Sequence, residues 1–465
     1  MGARETIISS HAVSIVMSST LLVSNADLVV TMRAPGDILR RESIYVRNGV
    51  IAGIGDRGEL LRLYGEPDEE VDAEGMLVAP GFYDMHTHVV MAGFRGLAAD
   101  RAQVIYKVFW PLERALDGDA AFRFAMLGGL EALKSGVVLV ADHYFFMDSI
   151  ARALRELGLR GLLGHTYMDW KGPWTGEAEL RRAEEFLRRW RRDRLVRPVV
   201  APHAPDTVSR ENLLYLKGLA EEYNTFLHMH LAQSRVEFED VRRRYGETPV
   251  RFVYGLGLLG PRSIVAHCNY ADREEVRLLA HSGALVAQCP STYMLGGVGF
   301  PAFDVWQLGG RVVLGTDAPC YNDNTDFFEE MRLLVYGQRF QHGRDDLWTA
   351  WDVLEIATRR AAEYLGVRGG VIAPGYRGDF VLVRLDRPHM RPLFDPYSNL
   401  VYAAGSGDVD TVVVDGRVVV RGGRHAVVDE ERVLQLGEGA ARDVARRALE
   451  ESPELENILG RVLLG

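Results

Sequence analysis

Residues 80–100 read PGFYDMHTHVVMAGFRGLAAD, and the reading of the whole chain turns on them. An apolar run at 76–79 leads into Pro80-Gly81, and His86-Thr87-His88 comes next. Read as a strand, 82–89 alternates its side chains between two faces. His86 and His88 then share a face at the strand's end. Two imidazoles so placed make half of a divalent-metal site.

Working outward, residues 80–366 alternate short apolar stretches with amphipathic helical text. The strand candidates are FYDMHTHV, VVLVADHY, RGLLGHTYM, RPVVAPHAP, TFLHMHLA, SIVAHCNY, ALVAQCP and RVVLGTDA. Repeated strand–helix units imply parallel pairing with right-handed crossovers, and eight of them predict a (β/α)8 TIM-like barrel. In that fold chemistry sits at the C-terminal ends of the strands. His86, His88, His143, His165, His203, His230, His267 and Asp317 all fall at or near such ends. The text before and after the barrel is β-rich, with hairpin signals at Asn48-Gly49 and Asp415-Gly416. It predicts a small composite β-sandwich built from both chain ends. The expected division is sandwich over 1–79 and 370–427, barrel over 80–369 and a helical tail over 428–465. The first sixteen residues read as an extension, with Met17 an alternative start. GLGLLG at 255–260 matches a dinucleotide fingerprint only superficially, since a helix precedes it and Pro261 and a strand come after; it predicts a helix cap and turn.

TFLHMHLA supplies His228 and His230 on one face, and His230 lies nearer the strand's end, so it is the better ligand. His228 reads as a residue one layer deeper with its own partner. Asp317 ends the last strand, where a carboxylate can touch both a metal and its water. His267 ends the sixth strand, placed to stabilise developing charge. A bound metal lowers the pKa of its water toward neutrality. Asp317 would take the proton as hydroxide attacks, and His267 would stabilise the charge that forms.

These motifs, with FWPLE, APHAPDTVS, HLAQS, VAHCNY, CPSTYMLGG and GTDAPCYNDNTDFFEEMR, resemble the amidohydrolase superfamily. The branch most similar holds the methylthioadenosine/S-adenosylhomocysteine deaminases, the guanine and cytosine deaminases and the triazine hydrolases. The resemblance covers about 22–423. It implies one divalent ion, Zn2+ or alternatively Fe2+, held by His86, His88, His230 and Asp317, with His267 the catalytic histidine and His203 a substrate contact. Members with two metals bridge them with a Lys on a middle strand. VVLVADHY and RGLLGHTYM contain none, and Lys171 comes after the strand, so one metal is expected. The resemblance further implies a homodimer or tetramer.

The pattern departs in the substrate shell. Deaminases of this branch read His-Leu-x-Glu after the fifth strand, and that Glu carries a proton to the substrate ring; here the text is His230-Leu231-Ala232-Gln233. A Gln can orient and hydrogen-bond but cannot transfer a proton as a carboxyl does. Glu237, about a turn further on, is one substitute. Asp206 and Val208 stand where nucleoside deaminases tend to have Tyr and Cys. The expected activity is hydrolysis of a C–N bond in a purine-, pyrimidine- or nucleoside-like heterocycle, foremost deamination. The alternative is a cyclic amide, imide or triazine hydrolase that releases no ammonia. Arg95, Trp110, Glu113 and His143, with Phe94, His165, Tyr293 and Asp304, are candidates to line the substrate pocket.

The 465 residues are 47% hydrophobic and 25% charged, with a net charge of −10. That balance fits a soluble enzyme and argues against nucleic acid as partner. The arginine-rich stretch at 181–194 reads as the solvated face of a barrel helix. No apolar run spans a membrane. The cysteines, Cys268, Cys289 and Cys320, are odd in number and predict buried free thiols in a cytoplasmic protein acting on a small molecule.

Overall fold

The computed structural model describes residues 19–97, 101 and 104–463. The extension and alternative start expected at the amino terminus lie outside the described residues. All eight expected barrel strands form: β1 (Phe82–Thr87), β2 (Val137–Tyr144), β3 (Arg160–Tyr167), β4 (Val196–Pro198, resuming at Ala201–Pro202), β5 (Leu227–Leu231), β6 (Ser263–His267), β7 (Leu285–Gln288) and β8 (Arg311–Leu314). Parallel pairing links β1 to β4 in one arc and β5 to β8 in another. Single bridges from Val200 to Leu227 and from Thr87 to Asp317 close the cylinder. The strands are buried almost throughout, as a parallel sheet covered by helices requires. Only β4 is broken, and the break has a purpose. Val199 N–H still donates to Leu163 on β3 (2.8 Å), whereas Val200 N–H turns to Phe226 beside β5 (2.9 Å).

The β-rich ends meet in one nine-stranded sheet. Its seam is the antiparallel pairing of Met76–Pro80 with Phe380–Arg384, so the strand that enters the barrel also holds the returning chain. Leu21, Val23, Ile44, Val46, Val78, Phe380, Leu382 and Val413 form its apolar core. Both hairpin signals hold. Asn48-Gly49 (φ 55° and 80°) and Asp415-Gly416 (φ 56° and 71°) carry paired left-handed residues, the twist a two-residue hairpin needs. The GLGLLG segment is a helix end and turn: helix Pro249–Gly255 stops there, and β6 comes next. The three cysteines are free and buried. Helix Glu430–Glu451 packs on helix Gly118–Lys134, with Lys134 Nζ 2.8 Å from Glu430. Among the described residues no helix is long and apolar enough to cross a membrane.

Two polar devices fix the barrel's frame. Arg160, at the base of β3, donates to Asp379 (2.9 and 3.3 Å) and to Asp415 (2.8 Å), tying the barrel to the terminal sheet. At the closure, buried Asp84 on β1 accepts from Thr316 N (3.1 Å) and Thr316 Oγ1 (2.6 Å) just past β8. Burial pushes the Asp84 carboxyl up to about 7. Beyond it, Asp317 N–H donates to His86 O (2.8 Å) and His88 N–H to Asp317 O (3.3 Å). This close approach requires Gly315, where an added Cβ would lie 2.6 Å from His86 O and 2.8 Å from His86 N.

Asp379→Ala leaves the buried Arg160 guanidinium half-paired, and it is expected to cost about 3–5 kcal/mol, read as a lowered Tm in a thermal melt. Gly315→Ala must push β1 from β8. It is expected to lower Tm and weaken metal retention together, whereas Gly218→Ala, in an open position of a helix, is expected to hold or slightly raise Tm and leave metal retention unchanged.

Candidate metal centre and substrate cavity

Period-two alternation on β1 carries Asp84, His86 and His88 up one face, and the same rule on β5 carries His228 and His230. The upper residues meet at the barrel mouth. His88 Nε2 lies 3.2 Å from His230 Nε2. Asp317 Oδ1 lies 3.7 Å from His86 Nε2 and 3.6 Å from His88 Nε2. Zinc bonds of about 2.0–2.1 Å put neighbouring ligands roughly 3–3.6 Å apart, so these atoms need little movement to share one ion. The ring nitrogens of His86, His88, His143 and His230 all lie within 4.8 Å of one another, as do the ligand atoms of His86, His267 and Asp317.

The far side of each ring sets its tautomer. His88 Nδ1–H donates to His143 O (3.0 Å) and His230 Nδ1–H to His203 O (3.0 Å). A carbonyl can only accept, so the neutral rings present bare Nε2 lone pairs to the site. His86 Nδ1 meets His228 Nε2 at 2.9 Å, which gives His228 the partner expected of it. His86 Nε2 is buried with no hydrogen-bond partner. Burial keeps the rings neutral: it lowers His88 to about 4, His203, His228 and His267 to about 3, and His86 and His230 well below the usual histidine value. Burial raises Asp317 to about 6. Neutral imidazoles, an unpartnered nitrogen and a carboxylate at ligand spacing fit a divalent cation.

The supporting backbone is strained. Ala232, His267 and Asp317 have φ of 48°, 80° and 63°. Non-glycine residues in this left-handed region cluster at functional sites. Here they turn β5, β6 and β8 sharply as each strand leaves the barrel. His267 Nδ1 meets Tyr293 OH at 3.2 Å, and Gln288 Nε2 donates to His267 O at 2.7 Å.

The cluster opens into a cavity of about 400 Å³. His88, His143, His203, His230, His267, Trp110, Glu113, Gln233, Tyr293 and Asp317 line it. Glu113 accepts from Tyr144 OH at 2.6 Å, and burial raises its carboxyl to about 7. His203 Nδ1 meets Thr207 Oγ1 at 2.9 Å. Gln233 offers an amide and no carboxyl. Glu237 does not replace it, because both its oxygens are taken by Ala232 N–H and Gln233 N–H at 2.7 Å each. Lys171 is held by Asp206 and Asp240, each 3.2 Å away.

Arg95 is a correction. It does not line the cavity; it sits just past the short helix Val89–Phe94 and pairs with Glu131 outside. Three further candidates lie elsewhere. Phe94 packs on Phe109 and Phe124, His165 meets Glu179 at 2.9 Å, and Asp304 lies 3.6 Å from His342 in a separate recess. Sequence reasoning missed Asp84, Asn269 and Gln288. Asp84 was accessible through its period-two spacing from His86. Asn269 lines the cavity two residues past His267, and only the turn after β6 places it there.

The amidohydrolase family profile matches residues 77–419. The chain is 35% identical over 411 residues to the 5'-deoxyadenosine deaminase of Methanothermobacter thermautotrophicus, covering 87% of this chain and 95% of that one. It is 36% identical over 399 residues to the 5-methylthioadenosine/S-adenosylhomocysteine deaminase of Pyrococcus furiosus, covering 85% and 94%. A crystal structure of an adenosine deaminase from Xanthomonas campestris with bound zinc superposes with a TM-score of 0.87 at 28% identity, covering 92% of this chain and 98% of the other. Barrel, histidine cluster and relatives agree: the chain belongs to the amidohydrolase family and is a hydrolase of non-peptide C–N bonds.

Proposed function

We propose that the protein is a mononuclear, zinc-dependent aminohydrolase of adenosine-like nucleosides. The observation that carries this reading is the convergence of ring nitrogens of His86, His88 and His230 with the Asp317 carboxylate at the barrel mouth, where His88, His230 and Asp317 face the cavity. Its volume falls within the range of about 300–1,000 Å³ common for small-molecule sites. Relatives above 30% identity, matched over nearly their whole length, are named as deaminases of adenosine derivatives. The three buried free thiols support a reducing, cytoplasmic setting.

His86, His88, His230 and Asp317 would hold the ion, which when bound supplies a water of lowered pKa and a Lewis acid. The residues do the rest. Water attacks the ring carbon that bears the amino group. Asp317 takes a proton from that water and returns it to the departing amine, so a C–O bond forms, the C–N bond breaks and ammonia leaves. His267 faces the same carbon's surroundings and offers a ring nitrogen to the developing charge. Trp110, Glu113 and His203 contact the substrate, with Glu113 an acceptor for hydroxyl groups. Gln233 orients the ring by hydrogen bonds and cannot protonate its nitrogen. That substitution favours one second reading, hydrolysis of a cyclic amide or triazine without ammonia.

Ammonia release separates the two. Metal-quantified protein is expected to liberate ammonia from adenosine, 5'-deoxyadenosine or methylthioadenosine; product formation without ammonia from a cyclic amide or triazine would favour the second reading. Asp317→Asn is expected to keep the fold and lower kcat by about 10²–10⁴-fold, the usual range for loss of a general base. Gln233→Glu is expected to raise kcat for nucleoside deamination, and an unchanged or lower kcat would show that residue 233 does not limit the proton path.

A further inference from the structure

We propose that His143 is a further imidazole ligand of the metal. Its ring is only 1% exposed and lies within the cluster, with its centre 4.5 Å from that of His230 and 5.1 Å from that of His88. Its Nδ1 is held by Thr166 Oγ1 at 3.0 Å, and its Nε2 is buried without a hydrogen-bond partner. Buried histidine nitrogens are usually satisfied. In the barrel the described residues leave three bare, His86 Nε2, His143 Nε2 and His228 Nδ1, and of these rings His86 and His143 belong to the four-histidine cluster, whereas His228 lies a layer deeper. The His86 and His143 rings are prepared alike, with Nδ1 anchored and Nε2 turned inward.

The spacing suits a single ion. Bonds of about 2.1 Å set ligands on opposite sides of a metal about 4.2 Å apart; the four histidine nitrogens lie within 4.8 Å of one another, so small side-chain shifts bring all four onto one ion. The main chain adds a second link, because His143 O accepts the Nδ1–H of His88. Residue 143 thus orients one ligand through its carbonyl and adds another through its ring. A shell of four imidazoles and Asp317 leaves less room for further water than three imidazoles and Asp317.

The test needs no substrate, so its failure is distinct from failure of the deaminase reading. Wild type and His143→Ala would be loaded with Zn2+ or Co2+. X-ray absorption would count imidazoles, chelator competition would give metal affinity, and the visible spectrum of the Co2+ form would report geometry. The variant is expected to show one imidazole fewer, an altered Co2+ spectrum and at least 100-fold weaker zinc affinity. If His143→Ala does not fold, Thr166→Val frees the ring instead and is expected to weaken affinity 10- to 100-fold. An unchanged imidazole count, with affinity within threefold of wild type, would overturn the assignment. So would intact metal binding with only a raised KM for nucleoside, which would make His143 a substrate contact.

Discussion

The register between the first and last barrel strands is the constraint on which the site depends. Asp84 bonds Thr316, Asp317 N–H bonds His86 O, and His88 N–H bonds Asp317 O. A one-residue slip would turn His86 and His88 away from the barrel interior. Gly315 admits the two backbones at this distance, and the left-handed turn at Asp317 then swings its carboxylate toward the ring nitrogens. The same strand is anchored behind by Gly81 N–H donating to Asp379 O, beside the Arg160 network. The terminal sheet therefore supports the chemistry at a distance, by fixing where β1 begins.

Electrostatics derive from that packing. A core crowded with imidazoles cannot accommodate several positive charges, and desolvation holds the rings neutral well below physiological pH. Neutral rings with Nδ1 protons committed to carbonyls leave only Nε2 to bind. The cluster is thus poised for a cation before one arrives, and its cost in folding is offset when the ion binds.

Much of this was legible in the sequence, for a physical reason. Strand periodicity is strict, so HTH and HMH announce paired histidines on one face, and eight apolar stretches separated by helical text announce the barrel. The turn pairs Asn48-Gly49 and Asp415-Gly416 announce hairpins because few other residues adopt the required φ. The connections that leave the strand ends are harder to read. Arg95 lies in a connection whose direction no local pattern sets, and Glu131, which pairs with it, comes from a helix 36 residues on. Glu237 looked like a spare acid in sequence, yet its carboxylate secures the backbone at Gln233. His165 and His143 both end strands; one finds Glu179, and the other has a bare Nε2 within the histidine cluster. Only the assembled packing distinguishes them.

The central claim is that a single ion at this cluster enables hydrolysis. The most direct measurement strips the metal with a chelator and returns Zn2+ in sub-stoichiometric steps while nucleoside deamination is monitored. Activity absent from the stripped protein and rising linearly to a break at one equivalent is the predicted result. Full turnover without metal, or a break at two equivalents, would contradict the account.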